Sequence, residues 1–119
     1  MGADPRELIA ARIKASRRIA VTSHLRPDGD SLCTALALAR MGALLGKEVS
    51  IVNHDPTPVP FSGFPELRGI RIGQITAADF DTVVLLECAD VSRSGQEGLD
   101  LALKINIDHH YSNTPYADI

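Results

Sequence analysis

With 119 residues, of which 45% are hydrophobic and 23% charged, the chain is long enough for one domain with a buried core and too short for two. Its net charge of −3 argues against a protein that binds nucleic acid by covering phosphates with Lys and Arg. Two cysteines are too few for a disulfide framework, and we find neither a signal-peptide core nor an apolar run of membrane-spanning length, so we expect a cytoplasmic protein without membrane contact.

The first half of the sequence predicts two helices and two short strands. Pro5 suits the first turn of the first helix, and Gly46 suits the end of the second. Asp30 and Ser31 are both good N-caps, so we expect the second helix to begin at one of them, after a turn that Gly29 permits. The predicted elements are a helix over 5–16, a strand over 19–23, a helix over 30–47 and a strand over 48–54.

The second half predicts two further strands, separated by loops and short helices. Four of the seven prolines fall in residues 55–69, which we therefore expect to form a loop outside any sheet interior. Residues 83–86 are a continuous apolar run, typical of a strand that is covered on both faces. The elements predicted after the loop are one helical turn over 75–80, a strand over 81–87, a helix over 94–105, a strand over 104–108 and a loop over 109–119.

The alternation of helices with short apolar strands predicts an α/β fold, in which a parallel β-sheet is flanked by helices on both faces. In such a sheet, ligands bind beyond the carboxyl ends of the strands, near the point where the strand order changes direction. Acids and imidazoles of this sequence, with one amide, gather at those ends. They are His24, Asp28 and Asp30 after the first predicted strand, Asn53, His54 and Asp55 after the second, Glu87 and Asp90 after the third, and Asp108, His109 and His110 after the last.

Carboxylates that meet in one cleft need positive charge between them. Two like charges about 4 Å apart repel by several kcal/mol at an intermediate dielectric, whereas a helix N-terminus offsets only about 1 kcal/mol. A mixture of carboxylates and imidazoles suits a borderline-hard divalent ion, so we expect Mn²⁺, with Mg²⁺, Fe²⁺ or Co²⁺ as alternatives. The number of candidate carboxylates leaves room for two ions, an arrangement that suits hydrolysis of a phosphoester.

Three segments of the sequence resemble the signature segments of the DHH family of phosphoesterases. They are SHLRPDGDSL at 23–32, VVLLECAD at 83–90 and INIDHHYSN at 105–113, the last of which contains the triplet Asp108-His109-His110 for which the family is named. The resemblance extends over residues 17–115 and is closest to the NrnA-like nanoRNase/pAp phosphatase group of the RecJ-like superfamily. RecJ-type exonucleases and cyclic-di-AMP phosphodiesterases share the same signature.

The family resemblance implies a site with two metal ions and a role for each matching residue. Asp108 would orient a neighbouring histidine, and His110 would stabilise charge or donate a proton beside the scissile phosphate. Arg93, in the segment after the third strand, is our candidate for binding a substrate phosphate. The implied metal ligands are His24 and Asp28 for the first ion, Asp30 and His109 for the second, and Glu87 as the bridge between them.

The sequence departs from the family pattern at three points. Glu87 stands where the family usually has Asp, and Asp90 is the alternative bridging carboxylate. Cys33 stands where Gly is common. Family members also have a fourth metal-binding Asp in a later strand and a C-terminal DHH-associated domain that binds the substrate. We therefore expect residues 1–119 to be the N-terminal portion of a DHH catalytic domain, either truncated or a remnant without full activity.

The leading functional hypothesis is a metal-dependent phosphoesterase that hydrolyses short RNA oligomers (nanoRNA) and pAp, and the resemblance makes a homodimer a reasonable expectation. Alternatives within the family act on cyclic dinucleotides, longer single-stranded DNA or pyrophosphate. Two hypotheses of another class are a non-catalytic or incomplete DHH-type binding module and a metal-free sugar- or nucleotide-binding domain. The sequence has neither a Gly-rich dinucleotide motif nor a P-loop, which argues against the metal-free domain.

Overall fold

The structure, a computed structural model, describes residues 2–119, which contain two α-helices, five strands and several short 3₁₀ turns. None of the helices within this range is long and apolar enough to cross a lipid bilayer. In chain order the helices and strands are α1 (Pro5–Ala15), β1 (Arg18–Ser23), α2 (Gly29–Leu44), β2 (Glu48–Asn53), β3 (Arg71–Ile72), β4 (Thr82–Leu86) and β5 (Lys104–Ile107).

All five strands pair in parallel, in the order β3-β2-β1-β4-β5. β1 lies at the centre, and its Val21 is in register with Ile51 of β2 on one side and Val84 of β4 on the other. The strand order therefore changes direction between β1 and β4, where sheets of this kind open a crevice for ligands. The prediction of an α/β fold with a parallel sheet flanked by helices is confirmed.

The sheet is buried on both faces, but by different kinds of structure. On one face, Ile13 of α1 and Ala35 of α2 pack with the buried side chains of the central strands. On the other face, the core includes Ile75 and Leu99, which belong to turns and loops. Both α-helices thus cover one face, whereas the alternation of the sequence predicted helices on both, and 3₁₀ turns and loops cover the second. The apolar run 83–86 is at most 1% exposed, as expected for a strand that is covered on both sides.

α2 begins earlier than we predicted, because Asp28 rather than Asp30 or Ser31 is its N-cap. The Asp28 carboxylate accepts the backbone N–H of Ser31 (2.9 Å), and the Ser31 hydroxyl accepts the backbone N–H of Asp28 (3.0 Å). The two residues therefore form a capping box. Gly29 and Asp30 already lie inside the helix, and the preceding turn has its positive φ at Arg26 (54°) instead of at Gly29.

The helix predicted over 94–105 is wrong. Gly95 takes a positive φ of 69°, which ends a single 3₁₀ turn, and no α-helix forms between this turn and β5. The Gln96 side chain favours this open conformation, because it accepts the N–H of Ile75 (2.6 Å) and donates to the carbonyl of Gly73 (2.8 Å). β3, which we did not predict, has only two residues, too few for an alternating pattern to be recognised.

Candidate metal centre

The segment after β1 places an imidazole and a carboxylate side by side. His24 Nε2 lies 3.5 Å from Asp28 Oδ2, while His24 Nδ1 donates to the carbonyl of Leu25 at 2.6 Å. In the neutral ring, Nε2 therefore carries the free lone pair. Asp28 uses its other oxygen to cap α2, and the backbone N–H of Ser31 holds the pKa of Asp28 below its usual range. This carboxylate is therefore ionised at neutral pH, as a cation ligand must be.

The loop between His24 and Asp28 is held from the end of β2. Arg26 has a φ of 54°, which is uncommon for a residue other than Gly, and its backbone N–H donates to Asp55 Oδ2 (2.8 Å). Asp55 Oδ1 is paired with His54 Nδ1 at 2.8 Å, and this bond lowers the pKa of Asp55. Asp55 and His54 therefore support the loop that carries two candidate ligands.

Glu87 follows β4 in a strained backbone conformation. Its φ is 55°, in the left-handed region, which costs a residue with a Cβ about 1 kcal/mol or more. Its backbone N–H donates to the Ile107 carbonyl (2.9 Å), so the turn stays attached to β5. Its side chain is only 17% exposed and places Oε2 2.8 Å from His109 Nε2. Strain of this kind persists only where surrounding contacts hold it, and such residues cluster at functional sites.

Asp108 and His110 form a pair that runs from the interior to the surface. The Asp108 side chain is inaccessible to solvent, and its two oxygens contact His110 Nδ1 and Asn113 Nδ2, the latter at 2.8 Å. Burial by itself favours the neutral acid, but the bonds from Asn113 and His110 outweigh it and keep the pKa of Asp108 below its usual value. The same contact raises the pKa of His110, so its ring holds a proton more readily than a free imidazole.

Glu87, His109 and His110 come together although they follow different strands. Each offers one ligand atom, and these atoms lie within 4.8 Å of one another. The two imidazole rings are stacked, with centroids 4.7 Å apart. One carboxylate with two imidazoles is a donor set that suits a divalent transition metal.

One cavity of about 230 Å³ joins the β1 side of the site to the β4 side. A neighbouring cavity of about 240 Å³ shares His24 and Arg93 with it. A larger cavity of about 500 Å³, beside Phe80 and Leu101, has no imidazole in its lining, so size alone does not mark the site. The residues that line the joining cavity are His24, Asp28, Glu87, Ala89, Arg93 and His110.

Asp30, Asp90 and Arg93 take three different positions. Asp30 is exposed in the first turn of α2 and is not among the residues that line the cavity, so its assignment as a ligand stays a prediction. Asp90 caps a 3₁₀ turn, where its carboxylate accepts the N–H and the hydroxyl of Ser92, both at 2.9 Å, and the hydroxyl of Thr114 at 3.2 Å. Because Asp90 is engaged in this way and does not line the cavity, Glu87 is the better placed of the two carboxylates to hold an ion. Arg93 lines both cavities.

The donors at the cavity fit a divalent transition metal better than Mg²⁺. They are about half imidazole, whereas Mg²⁺ and Ca²⁺ favour sites made of oxygen atoms. The buried Asp108 behind His110 is the kind of partner that fixes the tautomer and orientation of a histidine at a metal site. Of the residues that would hold the ions, His24, Asp28 and Glu87 line the cavity, while His109 is not in its lining and is connected to it through its contact with Glu87.

The sequence did not lead us to Asn106, whose amide connects β4 to the Asp-His-His triplet. Asn106 Nδ2 donates to the carbonyls of Leu85 (3.1 Å) and Cys88 (3.0 Å), and Asn106 Oδ1 accepts a bond from Asn113 (2.7 Å). The available signal was an Asn between two isoleucines of a strand, since Asn is depleted in strands.

Comparison with known proteins places this geometry in a family context. Residues 18–119 match the N-terminal domain of the DHH family. The crystal structure of an exopolyphosphatase-related protein from Bacteroides fragilis is similar in fold, with a TM-score of 0.81 and 19% sequence identity. The match covers 97% of this chain and 37% of that chain, so this chain spans little more than a third of its length.

Proposed function

Because this chain belongs to the DHH family, we propose that it carries the cleft of a metal-dependent phosphoesterase that hydrolyses short RNA oligomers (nanoRNA) and pAp. The observation that carries the proposal is the cavity between the ends of β1 and β4, where imidazoles, carboxylates and Arg93 face a common space. Such a mixture of cation ligands with a guanidinium suits a phosphate group that is bound between positive charges.

Two divalent ions, which we propose to be Mn²⁺, would occupy this cleft. His24 and Asp28 would hold one ion, His109 would hold the other with Asp30, and Glu87 would bridge them. When bound, such ions supply Lewis acidity, which neutralises phosphate charge and makes a water molecule more acidic. The carboxylates of Glu87 and Asp28 would offset two of the four positive charges of the ions, and the charge that remains would attract the phosphate.

His110 and Arg93 would act on the substrate itself. His110 lines the cavity, and its contact with the buried Asp108 fixes the ring and favours its protonated form. The ring can therefore donate a proton to the leaving oxygen or stabilise negative charge that develops there. Arg93 would hold two non-bridging oxygens of the phosphate with its planar guanidinium fork, which orients the phosphorus toward the attacking water.

A phosphoanhydride substrate, such as pyrophosphate or polyphosphate, is the second candidate. It is favoured by the fold neighbour, which is described as an exopolyphosphatase-related protein. The charges of the cleft would serve either substrate, because both present a phosphoryl group with negatively charged oxygens. The difference between the two substrates is that an RNA dinucleotide carries nucleosides on its phosphate, whereas pyrophosphate and polyphosphate carry none.

The proposal is tested by metal binding and by turnover on the same protein. We expect wild-type protein to bind Mn²⁺ in calorimetric titration and to hydrolyse bis-p-nitrophenyl phosphate and a 5′-labelled RNA dinucleotide. His109→Ala should weaken Mn²⁺ binding, because one of the two ions loses a ligand, and should abolish hydrolysis, whereas Arg93→Lys should keep metal binding and raise the KM. Faster turnover of tripolyphosphate than of the dinucleotide would favour the phosphoanhydride. Metal binding without turnover of any substrate would favour a binding module, and absence of Mn²⁺ binding would refute the metal site.

A further inference from the structure

Asn106 is a polar residue in the middle of β5, and it bonds to the turn that carries Glu87. Its Nδ2 group donates to the carbonyl of Leu85 at 3.1 Å and to that of Cys88 at 3.0 Å. These two carbonyls stand on either side of Glu87 in the chain. One amide therefore fixes both ends of the turn in which Glu87 takes its left-handed conformation.

The acceptor side of the same amide leads to the Asp-His-His triplet. Asn106 Oδ1 accepts a bond from Asn113 Nδ2 at 2.7 Å, and Asn113 Nδ2 also donates to Asp108 Oδ2 at 2.8 Å. Asp108 in turn contacts His110 Nδ1. The bonds thus form a continuous path from the Glu87 turn, through two Asn side chains, to His110.

The chemistry of the position suits an amide and no other side chain of similar size. The carbonyls of Leu85 in β4 and of Cys88 just after it accept from Asn106, while Asn113 donates to it. Asp has the same shape but offers no donor at neutral pH, and Leu offers neither. Tyr116 Oη donates to the Cys88 carbonyl as well (2.8 Å), so two side chains hold the far end of the turn.

We propose that Asn106 is a positioning residue, which holds Glu87 in its strained turn and couples that turn to the Asp108–His110 pair. The inference rests on the proposed function, because it assumes that Glu87 and His110 face the ions and the phosphate. Asn106 does not line the cavity, so it acts through the backbone of the Glu87 turn and not by contact with a ligand.

The first test needs no metal and reports on the turn alone. The Glu87 amide donates to Ile107, so its hydrogen-exchange rate in NMR measures how often the turn opens. We expect Asn106→Leu and Asn106→Asp to raise this rate at least tenfold, because each variant loses both hydrogen bonds that Nδ2 donates and one such bond contributes about 1 kcal/mol. Asn53→Ala is the control, because Asn53 is another strand asparagine with a side-chain hydrogen bond, but its partner is Ser23 and not the Glu87 turn. If Asn106→Leu does not fold, Asn106→Asp, which preserves the volume and the acceptor, serves alone.

The second test asks whether the turn matters for the site. Calorimetric titration with Mn²⁺ should show an affinity about tenfold weaker for the Asn106 variants and an unchanged affinity for Asn53→Ala. We expect this difference in affinity even if the Asn106 variants and Asn53→Ala have the same Tm. An unchanged exchange rate at Glu87, or equal Mn²⁺ affinity of wild-type and variant proteins, would overturn the role of Asn106. If the wild-type protein bound no Mn²⁺, the proposed function would fail, and the exchange rate alone would decide whether Asn106 holds the turn.

Discussion

Asp28 has two separable tasks, and two substitutions should separate them. One carboxylate oxygen caps α2 through the backbone N–H of Ser31, and the other faces His24. Asn preserves an oxygen for the cap but loses the negative charge, whereas Ala loses both. We therefore expect Asp28→Asn to lose Mn²⁺-dependent hydrolysis while it keeps its stability, and Asp28→Ala to lose both.

The size of the stability effect follows from the cap. Replacing an Asp N-cap by Ala costs about 1 kcal/mol, while Asn and Asp cap almost equally well. The Asp28 side chain is 61% exposed, so its ion pair with His24 adds little to this value. For a chain of this length, about 1 kcal/mol lowers the Tm by about 4 °C. In EDTA, Asp28→Ala should therefore melt about 4 °C below wild type, and Asp28→Asn within about 1 °C of it.

Thermal unfolding in EDTA and in excess Mn²⁺, followed by circular dichroism, measures both tasks. Wild-type protein should gain about 2.7 kcal/mol at an Mn²⁺ concentration 100 times the Kd, and neither variant should gain as much. Asp4→Ala is the matched control: Asp4 caps α1 by accepting the N–H of Arg6 (2.9 Å), so this variant should lose stability but keep hydrolysis. An Asp28→Asn protein as unstable as Asp28→Ala would refute the cap, and an Asp28→Asn protein with wild-type turnover would refute the ligand.

Three further predictions concern backbone strain, packing and pH. Because the φ of Glu87 is 55°, Glu87→Gly should be about 1 kcal/mol more stable than Glu87→Ala in denaturant titrations without metal. If the Ala variant were the more stable of the two, the backbone at this position would not be strained. Gly95→Ala should destabilise more than Gly98→Ala, since both have positive φ but only at Gly95 would a Cβ meet His54 and Leu25, at 2.7 Å each; equal Tm values would count against this clash. The backbone N–H groups of Arg18 and Arg17 lower the pKa of Asp81. The stability lost in Asp81→Ala should therefore be largest above pH 4 and should diminish as acid protonates the carboxylate of the folded protein. A loss of stability that does not depend on pH would disprove this link between the Asp81 pKa and folding.

The sheet could be predicted from the sequence because its strands are apolar runs that helices and loops separate. The run 83–86 is fully buried as expected, and the polar residues after β1 and β4 do meet at one cavity. This convergence followed from the parallel direction of the strands, which carries every strand end to the same edge. The DHH triplet and its spacing from the first segment made the family recognisable without coordinates.

Other features depend on contacts between distant segments and could not be read from local patterns. Residues 94–105 have a helical distribution of apolar residues, but Gln96 bonds to Ile75 and Gly73, which favours an open turn. The sequence did not identify Asp28 as the N-cap of α2, because Asp30 and Ser31, which follow it directly before the apolar positions of the helix, are equally suitable cap residues. The role of Asn106 depends on partners in β4 and in the segment after β5, and a single Asn in a short strand does not reveal them.

The central position of β1 has a consequence for the order of events during synthesis. β1 pairs with β4, which is made much later, and His24 therefore emerges from the ribosome long before Glu87 and His109. Such non-local pairing forms slowly, and a metal site that depends on it does not exist in the unfolded chain. Capture of both proposed ions would thus coincide with completion of the fold.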